Sequence, residues 1–226
     1  MVRGYTDCMM TNILFLEGPI QTGKSTLIRR LLGDHLSECG GFTSQRLIGA
    51  DGKTRGFRLG PAAQTPLTAP AEDYIASPGS TRPFIDGAGI FKWFPEDGHV
   101  ITDQSVFEQA GAGLLRSSMG KPLILLDEIG GSELLCDAFC TALEEVLSCG
   151  APCLGVMKLM DGARRIQGQY PGSSKGWTIA DQNEKIRRKI IEDLGGKILY
   201  YERGSAGASN VEAELLSFIR SVFPRG

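Results

Sequence analysis

Uninterrupted apolar runs, rather than alternating ones, mark the strands of this chain. Ile13 to Leu16 runs into Gly18, Pro122 to Leu126 runs into Asp127-Glu128, and Ala151 to Val156 follows a glycine. Runs of this kind predict strands buried on both faces, as in parallel sheets. Helical spacing fills the intervals. From Gly23, Leu27, Ile28, Leu31 and Leu32 share one face, with Gly33 weakening the end and Gly40-Gly41 stopping it. Further helices are expected over 103–118, capped by Asp103, over 132–148, capped by Ser132, and over 183–194 and 210–223. Lys197 to Tyr201 reads as one more strand. Strands alternating with helices imply an α/β fold, a mostly parallel sheet covered on both faces.

Two stretches break the alternation. Phe42 to Ile48 and Thr54 to Leu59 flank Asp51-Gly52, a strong hairpin signal. Residues 60–99 then hold prolines at 61, 66, 70, 78, 83 and 95 among small residues, and predict an irregular insertion. Phe91, Trp93 and Phe94 fall within it. They either stack on a base or, more simply, form a cluster that pins the insertion to the core. Residues 158–178, rich in Gly, Ser and basic side chains, suggest a lid loop. At 226 residues the whole chain, 1–226, is expected to form one domain.

Charge and composition narrow the function. A net charge of -2 and a pI near 5.8 give no basic surplus for nucleic acid. No apolar run reaches a membrane-spanning length, and the N-terminus lacks a secretory h-region, so a cytoplasmic protein is expected. The six cysteines (Cys8, Cys39, Cys136, Cys140, Cys149 and Cys153) then read as reduced core thiols. The last four form two C-x3-C pairs, which raises a metal site. Against it, Cys136 and Cys140 lie one helical turn apart among Leu134, Leu135, Phe139 and Leu143, where small apolar groups pack.

Gly18-Pro19-Ile20-Gln21-Thr22-Gly23-Lys24-Ser25 matches G-x-x-x-x-G-K-[ST] and lies between a predicted strand and a predicted helix. That placement turns main-chain N–H groups and a helix N-terminus toward a phosphate. Pro19 has no N–H, so the donors are mainly Thr22, Gly23, Lys24, Ser25 and Thr26. Lys24 carries charge to the β- and γ-phosphates, and Ser25 offers a hydroxyl to Mg²⁺. Asp127, at the end of the second core strand, is the expected Walker B acid holding Mg²⁺, and Glu128 the expected base for an attacking water. Glu133 either joins them or is an exposed first-turn acid. Among Lys158, Arg164, Arg165 and Lys175, one is a candidate arginine finger or lid charge, Arg164 or Arg165 in particular, although flexible loops carry exposed arginine in any case. Lys185, Arg187, Arg188 and Lys189 read as a solvated helix face. His35 and His99 have no motif partner.

Four tracts together resemble the THEP-type nucleoside-triphosphatase family: Gly18 to Thr26, the hairpin from Gly41-Phe42 to Arg55-Gly56-Phe57, Leu123 to Leu134 with its Asp-Glu-Ile-Gly-Gly-Ser-Glu-Leu, and the Asn183 region. The resemblance implies a RecA-like P-loop fold and Mg²⁺-dependent hydrolysis with loose base selectivity. It places phosphate and metal contacts on Lys24 and Ser25, the Walker B acid on Asp127 and the base on Glu128. Gln21 stands where that family's loop usually has glycine, and the 60–99 insertion is longer.

The expected function is therefore hydrolysis of ATP, GTP or related triphosphates to diphosphate and phosphate. Two other readings fit the same motifs. One is a P-loop kinase for a small molecule, with 158–178 as its lid. The other is a nucleotide-gated switch serving a protein partner. No Asn-Lys-x-Asp guanine reader separates ATP from GTP.

Overall fold

The apolar runs pair side by side at the centre of one sheet. In this computed structural model, which describes residues 11–96, 98–167 and 177–224, the nine strands are β1 (Ile13–Glu17), β2 (Gly40–Ile48), β3 (Thr54–Pro61), β4 (Thr68–Pro70), β5 (Ile90–Trp93), β6 (Ile101–Thr102), β7 (Ile124–Ile129), β8 (Cys153–Met157) and β9 (Lys197–Tyr200). Their order is β6-β5-β3-β2-β7-β8-β1-β9, with β4 added beside β2. From β2 through β9 the neighbours are parallel, whereas β3, β5 and β6 are antiparallel additions at one edge.

Alternate residues of the central strands feed two separate cores, which is why the runs are apolar throughout. Ile13 and Phe15, with Ile124 and Leu126, face α3 (Asp137–Ser148) and the short α2 (Ala112–Arg116). Leu14, Leu16, Leu123 and Leu125 face α1 (Lys24–Leu32) and α6 (Ala208–Val222) on the other side. A third cluster of Leu47, Phe84, Ile90 and Trp93 secures the insertion, so Trp93 pins it down as the simpler reading expects. The insertion is irregular over much of its length, yet β4 and β5 join the sheet.

Three other expectations change. The 132–148 helix is broken: a 3₁₀ turn spans Ser132–Leu135, and α3 begins only after Cys136. Part of the 158–178 stretch is helical, as α4 (Met160–Gln167). The helix expected from Asn183 starts earlier, as α5 (Ile179–Arg188), where Thr178 and Asp181 form a reciprocal capping box. Lys175 and Cys8 lie outside the described residues. No helix among the described residues is long and apolar enough to cross a membrane.

Candidate active site

The loop between β1 and α1 is shaped by its glycines. Gly18 has φ 146° and Gly23 φ 82°, both unfavourable for a side chain. A Cβ at Gly18 would strike the Tyr201 carbonyl oxygen, and one at Gly23 the Arg203 guanidinium, so the chain after β9 packs directly on the loop. Gln21 also adopts a left-handed φ of 63°, at the position where glycine would be at ease. Lys24 is buried, and its Nζ donates to the carbonyl oxygens of Gly18 at 3.0 Å and Pro19 at 2.6 Å. Burial lowers its pKa and the nearby Lys158 adds to this, against the opposing pull of Glu128 and Asp127.

β7 brings the acids to this loop although it is not adjacent to β1. One strand, β8, lies between them. Asp127 is almost wholly buried, at 4% exposure. Ser25 donates its hydroxyl to Asp127 Oδ1 at 2.6 Å, and Thr43 of β2 donates to Oδ2 at 3.0 Å. Arg29 of α1 donates to the Thr43 hydroxyl at 2.7 Å and to the carbonyls of Ala62 and Thr65. Burial raises the Asp127 pKa despite both hydroxyl donors. A buried carboxylate beside a serine hydroxyl, both hard oxygen ligands, fits a small divalent cation.

Glu128 would face away from Asp127 in a regular strand, since successive side chains alternate. A bulge prevents this. From Leu126 to Ile129 β7 takes three steps where β8 takes two, from Gly155 to Met157, and Glu128 has φ 70°. Strain of this kind, of order 1–3 kcal/mol, persists where surrounding contacts impose it. Here the contact is an ion pair from Lys158 Nζ to Glu128 Oε1 at 2.8 Å, with the Glu128 side chain 36% exposed. Burial pushes the Glu128 pKa up, but Lys158, Lys24 and Arg46 together outweigh it and leave the carboxyl below its usual range.

Lys158 follows β8 directly, its N–H bonded to Ile129 O at 2.8 Å. It is one of the four basic candidates, and it reaches Glu128. Arg164 and Arg165 lie on exposed positions of α4, and Arg164 pairs with Asp161. Glu133 is a buried residue, not an exposed first-turn acid. Its Oε1 accepts the Gly130 and Gly131 N–H groups, both at 2.6 Å, and burial raises its pKa. Arg187 likewise is no solvated group. It reaches Glu17 at 2.6 Å, Asn183 Oδ1 at 2.7 Å and the Lys158 carbonyl at 2.7 Å. Asn183, fully buried, donates to Gly130 O at 3.1 Å. This brace ties the ends of β1, β7 and β8 together. Its sequence signals are the family-like Asn183 region and the four-residue spacing of Asn183 and Arg187 on a helix.

Among the described residues no three or more His, Cys, Asp or Glu side chains are grouped to hold a metal. The thiols of Cys140 and Cys149 donate to the carbonyls of Leu134 and Val146.

A family model described as NTPase matches residues 13–191. The nucleoside-triphosphatase THEP1 of Thermococcus kodakarensis is 27% identical over 193 residues, which cover 84% of this chain and 98% of that protein. The protein of the same name from Methanosarcina acetivorans is 27% identical over 142 residues, 63% of this chain and 73% of its own length. The crystal structure of THEP1 from the hyperthermophile Aquifex aeolicus superposes with a TM-score of 0.54 at 16% identity, covering 92% of this chain and 98% of that one. At that identity the likeness speaks for the fold.

Proposed function

Because this chain belongs to the NTPase family, we propose that it hydrolyses nucleoside triphosphates to diphosphate and phosphate in a Mg²⁺-dependent reaction with loose base selectivity. The observation that carries this reading is the placement of Asp127 on the Ser25 hydroxyl at 2.6 Å, with Glu128 turned by its bulge toward the same site. The main-chain N–H groups of 22–26 cradle the phosphates, and Lys24 exchanges its loop carbonyls for phosphate oxygens. Ser25 and Asp127 hold Mg²⁺, which when bound neutralises charge on the β- and γ-phosphates. Glu128, kept ionised by Lys158, orients a water and accepts its proton as the water oxygen attacks the γ-phosphorus. Lys158 then stands close enough to balance the negative charge that develops there. We place the reaction in the cytoplasm, the compartment that suits reduced core thiols.

The test is phosphate release from ATP, GTP, CTP and UTP with and without Mg²⁺. Glu128→Ala is expected to lower kcat about 10²- to 10⁴-fold, the usual contribution of a general base, while nucleotide affinity is retained. Unchanged release in that variant sinks the assignment of Glu128, and unchanged release in Lys24→Ala sinks the site.

A further inference from the structure

Hydrolysis asks for a place for one water beside Glu128, and a water occupies roughly 30 Å³ of liquid. The protein provides far more. A cavity of about 110 Å³ opens on Glu128, and part of its wall is aromatic: Phe42 of β2, Phe57 of β3, Phe91 of β5 and Phe107. The rings form a connected set. Phe57 and Phe91 stack with centroids 6.2 Å apart and planes 24° apart, and Phe91 tilts against Phe107 at 4.9 Å. No residue of the 18–26 loop lines this cavity, whereas Glu128 and Lys158 do. Glu128 therefore stands between Lys24, whose charge it feels, and the aromatic chamber.

The two ends of the chamber differ in chemistry. Ring faces and edges favour a flat aromatic guest, stacked or edge-on, which gains about 25 cal/mol for each Å² of apolar surface removed from water. The polar end presents the Glu128 carboxylate, paired with Lys158, beside Lys92, Ser44 and Ser132; the carboxylate is an acceptor that calls for a donor on the guest. A flat ring carrying a short alcohol satisfies both. Three of the four rings are supplied by the hairpin and the insertion.

We propose that this cavity is a phosphoryl-acceptor subsite for a small aromatic or heteroaromatic alcohol, whose hydroxyl takes the place of the attacking water. The proposal rests on the reading of Glu128 as base. The alcohol oxygen forms a bond to the γ-phosphorus while the bond from that phosphorus to the β–γ bridging oxygen breaks. The hydroxyl proton passes to Glu128, and the bridging oxygen keeps the electron pair as the nucleoside diphosphate leaves. The other product is a phosphomonoester. When the chamber holds water, the same line of attack yields phosphate.

The test incubates the full chain with Mg²⁺ and ATP, adding benzyl alcohol, 3-pyridinemethanol or tryptophol in separate reactions, and reads products by ³¹P NMR. At least one alcohol is expected to give its phosphomonoester at the expense of phosphate. Phe91→Ala is expected to lower the ratio of ester to phosphate at least tenfold. Phe91→Trp, which fills the chamber while keeping an aromatic wall, is expected to do the same should the alanine variant fold poorly. Phosphate alone with all three alcohols overturns the acceptor subsite and leaves the hydrolase reading intact. An ester ratio indifferent to both substitutions also overturns it. Neither phosphate nor ester in any reaction overturns the base assignment and the subsite with it.

Discussion

Lys158 and Glu128 meet across the bulge of β7, Nζ to Oε1 at 2.8 Å, each delivered by a different central strand. The lysine has two roles in this position. It keeps the carboxylate ionised, and it holds a backbone in the left-handed region that a glutamate would otherwise leave. Its own main chain is fixed by Ile129, Asn183 and Arg187.

Removing the ammonium should therefore act through Glu128. Lys158→Met is expected to lower kcat about 10- to 100-fold, equivalent to roughly 1.4–2.7 kcal/mol of barrier. The double variant Lys158→Met/Glu128→Gln should turn over no more slowly than Glu128→Gln alone, because groups that act as a unit are not additive. Strict additivity in steady-state phosphate release means the lysine works independently of the carboxylate.

Burial raises the Asp127 pKa, so the fold disfavours the charged form of this carboxyl. A neutral amide removes the penalty. Asp127→Asn is expected to leave the melting temperature in EDTA equal to or above that of the parent protein. The parent should gain about 2.7 kcal/mol at a Mg²⁺–ATP concentration near 100 Kd, and the variant should lose most of that gain. Differential scanning fluorimetry with EDTA, Mg²⁺ and Mg²⁺–ATP reads all three states.

Arg187 joins Glu17, Asn183 and the Lys158 carbonyl with a side chain only 16% exposed. Truncation strands a largely covered carboxylate and a carbonyl. Arg187→Ala is expected to cost about 1–3 kcal/mol, less than the roughly 3–5 kcal/mol of a fully buried pair because Glu17 keeps some water contact. Arg187→Lys should recover little of it, since an ammonium cannot reproduce the planar fork. Urea denaturation at equilibrium measures both.

Burial pushes the thiols of Cys153 and Cys39 up to about 12 and about 11. Their thiolate fraction at pH 8 is then on the order of 0.1% or less, and the thiolate is the reactive form. Iodoacetamide at pH 8 should label exposed Cys149 in the native protein and spare Cys39 and Cys153. Peptide mass spectrometry reads the pattern, and rapid native labelling of Cys153 contradicts its place in the core.

What was legible in the sequence was local. The P-loop, the Asp51-Gly52 hairpin and the apolar central strands declare themselves within ten residues or so, because turn chemistry and strand burial are set nearby. The Asp127 bond to Ser25 could be expected only as a role, since it depends on β8 lying between two strands that the sequence does not order. Arg187 reads as solvated for the same reason: a basic residue on a helix shows no partner until Glu17 arrives from a distant segment. The break at Cys136 escaped because Glu133, a good helix former, spends its carboxylate on the Gly130 and Gly131 N–H groups. The aromatic chamber draws its rings from three strands and a helical turn, a coincidence that no window of sequence contains.

The strand order divides the site between two parts of one sheet. β1 and its neighbours β8 and β9 carry the phosphate loop and what packs on it, whereas β2, β3 and β5 carry the aromatic walls. β7 lies on the border, and Glu128 on its bulge serves both sides. No backbone hydrogen bond joins β1 to β2; the two parts meet through side chains, Thr43 of β2 on Asp127 and Arg29 of α1 on Thr43. A change of ring at position 57, 91 or 107 therefore reshapes the chamber without touching the loop, which lends it no lining residue.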